Sequence, residues 1–403
     1  MEIKNELIQD FYNQLDSETR DFLDMSIEKI IEVKKKKGKI AVVTGSGPNL
    51  HEGVTTLIAD LMDKGIIDGV TTSSAVISHE MGGALDKVKR VDADQLKEYI
   101  DISRMPRGNV FEFTVMTDEE IGIIRKEMLL DERLMDIAPE INGSVIIKAA
   151  ANMAYPMGLR TEKLAEEVEL IAKTNGLPFE YVVGLGADPR TMIGIGARKG
   201  IPVLVSVPQL VGGGTVGCCI ADSIPIKQRC SRIAQMLGEA DIIIESAVVL
   251  TQEIHDGPFE TYTGHGIWPE WMGQKTYSLE GKSVIRIDLD ENLKKAWQLD
   301  KKSGTIQSAI DQGQPKTKIT NIPFRMEMSS FSRLENSIPI VGDIGIIWPI
   351  IALKVSEALG KKLDFMCYPQ STTEGQQMRE YIVKEIKPID RNLMIKEIKD
   401  RNF

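Results

Sequence analysis

The sequence predicts an α/β protein built on a mostly parallel, doubly wound sheet. Two observations carry this. Short runs rich in Val and Ile, bounded by Gly, Pro or Asp, recur along the chain: IAVVT at 40–44, DGVTTSS at 68–74, IPVLVSV at 201–207, ADIIIESAV at 240–248, SVIRIDLD at 283–290 and IPIVG at 338–342. Continuous apolar runs, in place of strict alternation, mark strands covered on both faces. Segments of helical pattern separate them, as crossovers between parallel strands require.

The first element precedes the sheet. Leu7, Ile8, Phe11, Leu15, Phe22, Leu23, Met25, Ile27, Ile30 and Ile31 fall at helical spacings. They predict one or two amphipathic helices over residues 1–37, with an apolar face for the rest of the molecule or for a second subunit. The run KKKK at 34–37 suits the carboxyl end of such a helix. An α/β nucleotide-binding domain then occupies 38–403. Its first strand, 40–44, leads through Gly45, Ser46, Gly47, Pro48, Asn49, Leu50 and His51 into a helix near 53–64. The runs SVIIKAAA at 144–151, FEYVVGLG at 179–186 and LDFMCY at 363–368 are read as further strands. Dense charge across 86–140 breaks the rhythm and predicts a helical insertion or lid. The polar, irregular stretch 298–336 predicts a long surface connection, an active-site or subunit-facing flap.

Bulk composition excludes some partners. The chain has 403 residues, 42% of them hydrophobic and 27% charged, with a net charge of −10. No broad cationic field attracts a phosphate backbone, so a nucleic-acid partner is not expected. Cys218, Cys219, Cys230 and Cys367 form no CxxC spacing, which argues against a disulfide framework and fits a reducing, cytoplasmic setting. No long uncharged apolar stretch points to a membrane. HExxH and CxxC are both absent, so no metal is expected, and a GxSxG elbow is missing too.

Ligands of parallel sheets sit beyond the carboxyl ends of the strands. The residues found there are Gly45, Ser46, Gly47 and Pro48 after the first run, Ser74 after the second, and Gly213 and Gly214 after the run at 201–207. Later runs end in Glu245, in Asp288, and in Asp343 with Gly345. Glycines admit a phosphate to backbone N–H groups, and a strand-end carboxylate suits ribose hydroxyls, so the set is a candidate nucleotide site. No GxGxxG stands immediately after the first strand, and GxxxxGK[ST] is absent. His79 and Glu80 lie one turn into the next helix, and His255, Asp256 and His265 lie in the Gly/His/Trp-rich segment 253–271.

These strand-end residues carry a resemblance. The stretch VVTGSGPNLHEG…GVTTSSAVISHEMGGAL resembles the glycine-proline loop and "NALAVHDIE" segment of the lysine-oxoglutarate-reductase/saccharopine-dehydrogenase-related family, which includes archaeal-type ornithine cyclodeaminases. KGIPVLVSVPQLVGGGTVG is similar to the stretch around "GSIRDDGPLP", VIRIDLDEN to "VVCVDINP", and SIPIVGDIGIIWPIIALKV to "GIVTDVGLFLPLLV". ARKGIPVLVSVPQLVGGGTVG also resembles the "NNIPVFCPALTDGSLGD" strand and loop of deoxyhypusine synthase. The resemblance implies a deoxyhypusine synthase-like fold and bound NAD, lined by Gly47, Pro48, Ser74, Asp288, Asp343 and Gly345. It departs where Ser74 replaces the asparagine, where "GTSLG" is missing, and where VPQLVGGG replaces the arginine and paired aspartates.

The implied activity is action on a carbon–nitrogen bond of an amine or amino acid, with NAD as a recycled hydride acceptor. His79 or Glu80 is then the expected acid or base, with His255 and Asp256 as alternatives. Asp222, Glu245 and His265 are the expected substrate contacts. Two other readings stay open: a non-catalytic NAD- or nucleotide-binding module, and a non-redox lyase or transferase on the same fold. The resembled fold implies a homo-oligomer, a dimer or tetramer.

Overall fold

The computed structural model describes residues 3–45, 47–104, 109–150, 156–247, 270–271, 273–277, 281–288, 291–314, 319–322 and 336–401. The strands are β1 Ile40–Thr44, β2 Gly69–Thr72, β3 Leu85–Asp92, β4 Val110–Thr114, β5 Ser144–Ala149, β6 Val203–Val205, β7 Ile242–Ser246, β8 Glu270–Trp271, β9 Gln274–Lys275, β10 Ser283–Asp288 and β11 Ser337–Val341. Six of them form one parallel sheet in the order β11-β10-β7-β1-β2-β6. The chain runs outward from β1 to β2 and β6, returns beside β1 as β7, and then runs outward the other way. This is the doubly wound arrangement, and its direction reverses between β1 and β7.

Alternation along each strand divides the core between the two faces. Ile40, Val42, Val70, Val205, Ile242, Ile244, Ile285, Ile287, Ile338 and Ile340 join the main core, which also holds Trp348 of helix Ile344–Ala358. On the other face Ala41, Val43, Leu204 and Ile243 meet Ile233, Met236 and Leu237 of helix Ile226–Glu239. The N-terminal helices Asn5–Gln14 and Ser17–Lys35 bury Ile8, Phe11, Leu23, Ile27 and Ile30 in the main core, against the body of the molecule. Each such side chain contributes roughly 1.5–3 kcal/mol of burial. Lys34 and Lys35 close the second helix, and Lys34 Nζ reaches Asp68 at 2.8 Å.

Four expectations change. The charged insertion is not purely helical: β3, β4 and β5 form an antiparallel sheet in the order β4-β3-β5, beside helices Asp118–Glu127 and Glu132–Ile137. Its charges are cross-strand pairs, with Arg90 opposite Glu112 at 2.6 Å and Lys148 on Glu112 at 2.8 Å. That density of charge hides strands from an apolar pattern. Of the run 144–151, Ser144–Ala149 is accordingly a strand of this smaller sheet, not of the parallel one. FEYVVGLG is a helix, Phe179–Gly184, entered from Pro178 and burying Phe179, Val182 and Val183 at helical spacing. Residues 363–368, buried except for Asp364, form no strand: Asp364 N–H and Phe365 N–H are held by Asp60 Oδ2 at 2.8 and 3.1 Å. Within 298–336, residues up to Ser303 belong to helix Glu291–Ser303, and Thr305–Asp311 is a second helix. Of the cysteines, Cys219, Cys230 and Cys367 are buried and Cys218 is exposed, all as free thiols. Among the described residues no helix is long and apolar enough to cross a membrane.

Candidate functional site at the carboxyl ends of the parallel strands

Every strand of the parallel sheet delivers polar residues to the same end. β1 finishes in Thr44 and Gly45, and Gly47 then turns the chain with φ +62° and ψ −103° into the short helix Pro48–His51. A side chain at Gly47 would be strained by that backbone yet would meet no atom of the described residues within 4 Å, so among these the turn is open as well as tight. Pro48 opens the helix, where its missing N–H costs nothing. Asn49 points inward, fully buried. Its Oδ1 accepts from Ser246 Oγ at 2.6 Å, and Trp348 Nε1 donates to the same Oγ at 2.9 Å. Ser46 lies outside the described residues.

A row of hydroxyls crosses the reversal point. Ser246 is the register partner of Thr44, and Thr44 lies beside Thr72, one step on from the Val43–Thr71 pairing. The Thr44, Thr71 and Thr72 hydroxyls are buried and have no hydrogen-bond partner among the described residues. Buried polar atoms normally find partners, so Thr44 and Thr72, on one face of the sheet, are positions where a polyhydroxyl or phosphate-bearing ligand has something to meet, whereas Thr71 lies on the other face.

At the end of β2, Ser73 caps helix Ser74–Met81 by accepting from Val76 N–H at 3.2 Å. Ser74 Oγ lies 2.8 Å from Gln209 O and 2.7 Å from Leu210 O, and accepts from Gly213 N–H at 2.8 Å. This residue therefore ties β2 to the glycine-rich loop after β6. A Cβ on Gly213 would come within 2.8 Å of Ser74 carbonyl carbon, and one on Gly217 within 1.8 Å of Leu210 O. Those two glycines serve close packing. Gly212 has only Ser74 Oγ within 4.0 Å, and Gly214 turns the chain at φ +59°.

On the far side of the reversal point, Glu245, Arg286 and Asp288 share one sheet face. Arg286 is the register partner of Glu245 and donates to Asp288 Oδ2 at 3.0 Å. All three are nearly inaccessible to solvent. Asp343 caps helix Ile344–Ala358 through Gly345 N–H at 2.8 Å. Gly345 has no room for a side chain: a Cβ would lie 2.8 Å from Glu52 Oε2. Glu52 accepts from Gln370 N–H at 2.6 Å, and burial pushes its carboxyl above the usual range. Asp222 is not brought to this end. It is exposed on the last turn of helix Thr215–Ser223, 4.0 Å from Lys173. His255, Asp256 and His265 lie outside the described residues.

The adjacent pair His79 and Glu80 divides. Glu80 is buried with both carboxylate oxygens taken, by Met192 N–H and Ile193 N–H at 3.0 Å each, so it anchors the start of helix Met192–Lys199. Burial pushes its pKa up to about 7 against those two hydrogen bonds. His79 Nδ1 pairs with the Ala150 carbonyl just past β5. A carbonyl only accepts, so Nδ1 carries the proton and Nε2 presents its lone pair. Burial above all, helped by the nearby His51 ring, holds the His79 pKa down at about 4. The ring is neutral at pH 7.

Two further residues join this group. Arg379, on helix Thr373–Glu385, donates from Nη2 to Ile147 O and to His51 Nδ1, the latter at 3.3 Å. Burial and the guanidinium hold the His51 pKa below its usual value. Sequence reading did not single out Arg379 or Glu52. Arg379 is 328 positions from His51, and no local motif announces it. Elsewhere, a cavity of about 650 Å³ opens at the opposite end of the sheet, lined by Ile40, Gly69, Leu204 and Met236. Of its charged neighbours, Lys39 is paired with Glu239 at 2.7 Å and Asp68 with Lys34 at 2.8 Å, and Arg232 also lines it. The chemistry therefore gathers at the carboxyl ends.

No family model matches the sequence, and no curated protein matches it. Among solved structures, a conserved putative LOR/SDH protein from Methanococcus maripaludis S2 is 10% identical, with 85% of this chain and 70% of that one covered and a TM-score of 0.38. AgrE, in a ternary complex with ornithine and NAD+, is 9% identical over 86% of this chain, with a TM-score of 0.40. A putative deoxyhypusine synthase from Entamoeba histolytica is 12% identical over 90% of this chain and 96% of that one, also with a TM-score of 0.40. The chain spans about a third of the length of AgrE (34%), and likewise of the arginine dihydrolase ArgZ (32%). The likeness is a distant one of fold.

Proposed function

We propose that this protein is an NAD-dependent enzyme acting on a carbon–nitrogen bond of an amine or amino acid. One observation carries the reading: the reversal point of the parallel sheet holds a glycine turn at Gly47 and the buried hydroxyls of Thr44 and Thr72, which have no hydrogen-bond partner among the described residues. This arrangement supports a dinucleotide as the ligand. Gly45, Gly47 and Pro48 frame the phosphate side, and Thr44 and Thr72 meet its hydroxyls or phosphate oxygens. Asp343 and Asp288 stand at the ends of the outer strands, each already engaged by a protein donor. When bound, NAD supplies a hydride acceptor for the carbon that bears nitrogen.

The chain's own part is orientation and proton handling. His79 Nε2, held as an unprotonated nitrogen, takes the proton that leaves the substrate nitrogen. Glu80 holds the helix in place without touching substrate. That division also favours a second reading, a non-catalytic nucleotide-binding module, because only one of the two expected proton carriers is free to act.

Gently denatured protein is expected to release NAD or NADH, detected by absorbance and chromatography, and added NAD is expected to raise the melting temperature. Failure of both sinks the cofactor. Ammonia release from L-ornithine, L-lysine or spermidine then separates an enzyme from a binding module.

A further inference from the structure

Arg379 sits where two parts of the molecule meet. Its helix, Thr373–Glu385, is pressed onto the turn after β1: Met378 Sδ lies 2.5 Å from where a Cβ on Gly53 would stand. Glu380 ties the same helix to β3 through Lys87 at 2.7 Å. The intervening Arg379 is half-buried and reaches from His51 to the β5 carbonyl of Ile147. Three residues along, the Ala150 carbonyl holds His79. The guanidinium and the imidazole are thus hung on one strand end, about 10 Å apart along the backbone.

The charge on Arg379 is not answered. Its partners are a carbonyl and a neutral ring nitrogen, and among the described residues it has no ion pair. Glu52 and Glu380 act on it only through space, since Glu52 is committed to Gln370 and Glu380 to Lys87. The Nε atom is buried without an acceptor. A partly desolvated guanidinium with unspent N–H groups is costly to keep unless an anion completes it. Its planar fork matches a carboxylate or a phosphate. The glycine turn at Gly47 offers backbone to a phosphate, whereas Arg379 is held beside His51 and the strand that positions His79. The anion that belongs here is therefore the one carried by the molecule undergoing reaction.

We infer that Arg379 anchors the carboxylate of the substrate, so the protein selects an amino acid over the corresponding amine. The inference depends on the proposed function only for the reaction that follows binding.

Binding is measured by calorimetry on the full chain, with and without NAD. The probes are L-ornithine against putrescine, L-lysine against cadaverine, L-arginine against agmatine, and L-glutamate against γ-aminobutyrate. At least one amino acid is expected to bind the wild type roughly tenfold or more tighter than its decarboxylated partner. Arg379→Gln removes that preference, and Arg379→Lys, with the charge but not the fork, keeps part of it. The NAD-induced rise in melting temperature stays the same in all three proteins. An amino acid preference that is absent from the wild type, or unchanged in Arg379→Gln, overturns the inference. So does loss of the NAD effect in Arg379→Gln, which assigns the guanidinium to a cofactor phosphate. If Arg379→Gln does not fold, as judged by its unliganded melting curve, the Arg379→Lys ratio decides. If NAD binds none of the proteins while the carboxylate preference still follows Arg379, the anchor stands and the NAD-dependent function falls.

Discussion

Ser246 and Asn49 form a reciprocal hydrogen-bonded pair across the point where the sheet reverses. Ser246 Oγ donates to Asn49 Oδ1 at 2.6 Å, and Asn49 Nδ2 donates to Ser246 O at 3.4 Å. Trp348 Nε1 completes the hydroxyl at 2.9 Å from a third element. Ser246→Ala leaves a buried indole N–H and a buried amide oxygen short of partners. The expected loss is about 1–3 kcal/mol of stability, read from urea unfolding. A loss well below that range shows that water or relaxation replaces the pair.

The glycine-rich loop separates packing from ligand access. Gly217→Ala drives a methyl group into Leu210 O, 1.8 Å from the ideal Cβ, whereas Gly212→Ala meets nothing closer than 4.0 Å. The first substitution is expected to destabilise by about 1–3 kcal/mol or more, and the second to leave stability within about 0.5 kcal/mol. Chemical denaturation of both variants checks this. Equal losses contradict the packing assignment.

Asp86 offers a pH test. It is buried in β3, its Oδ1 has no partner, and burial pushes its pKa from 3.8 up to about 7. The folded state holds this proton more tightly than the unfolded chain does. The wild type therefore loses stability as pH rises from about 4 to about 7, and the loss levels off above that. Asp86→Asn keeps the shape of the neutral form. Its stability should match the wild type near pH 4 and exceed it by about 1–3 kcal/mol at pH 8. Unfolding curves at the two pH values measure the difference, and a gap that does not widen with pH refutes it.

All six strands of the parallel sheet are visible in the sequence as short runs rich in Val and Ile, uninterrupted where both faces are apolar, as in IAVVT or DIIIES, and broken by polar residues in GVTT and SVIRID. The same rule misreads 179–186, where Phe179, Val182 and Val183 are a helical face inside a short apolar run. It also overlooks β3, whose charges are matched through the fold: Arg90 by Glu112 on β4, Lys87 by Glu380 on helix Thr373–Glu385, and Lys89 by the carbonyls of Pro139 and Ile141. At the site, the residues next to each strand end are legible from position alone. Arg379 and Glu52 are not, since their roles arise from a segment, Gln370 and helix Thr373–Glu385, that returns to the β1 turn after more than three hundred residues. Glu80 shows the limit from the other side. Sequence places it beside His79, but only the fold reveals that its carboxylate is spent on a helix start.

The two margins of the parallel sheet govern how copies of this chain can meet. At one margin β6 is three residues long. At the other, β11 carries Pro339, which has no N–H to give, and the N-terminal helix Ser17–Lys35 packs against that strand. Neither margin is a good template for a strand from another molecule, so the fold guards itself against edge-to-edge aggregation. Continuing the parallel sheet from one molecule into the next is thus a poor route to an assembly of this protein.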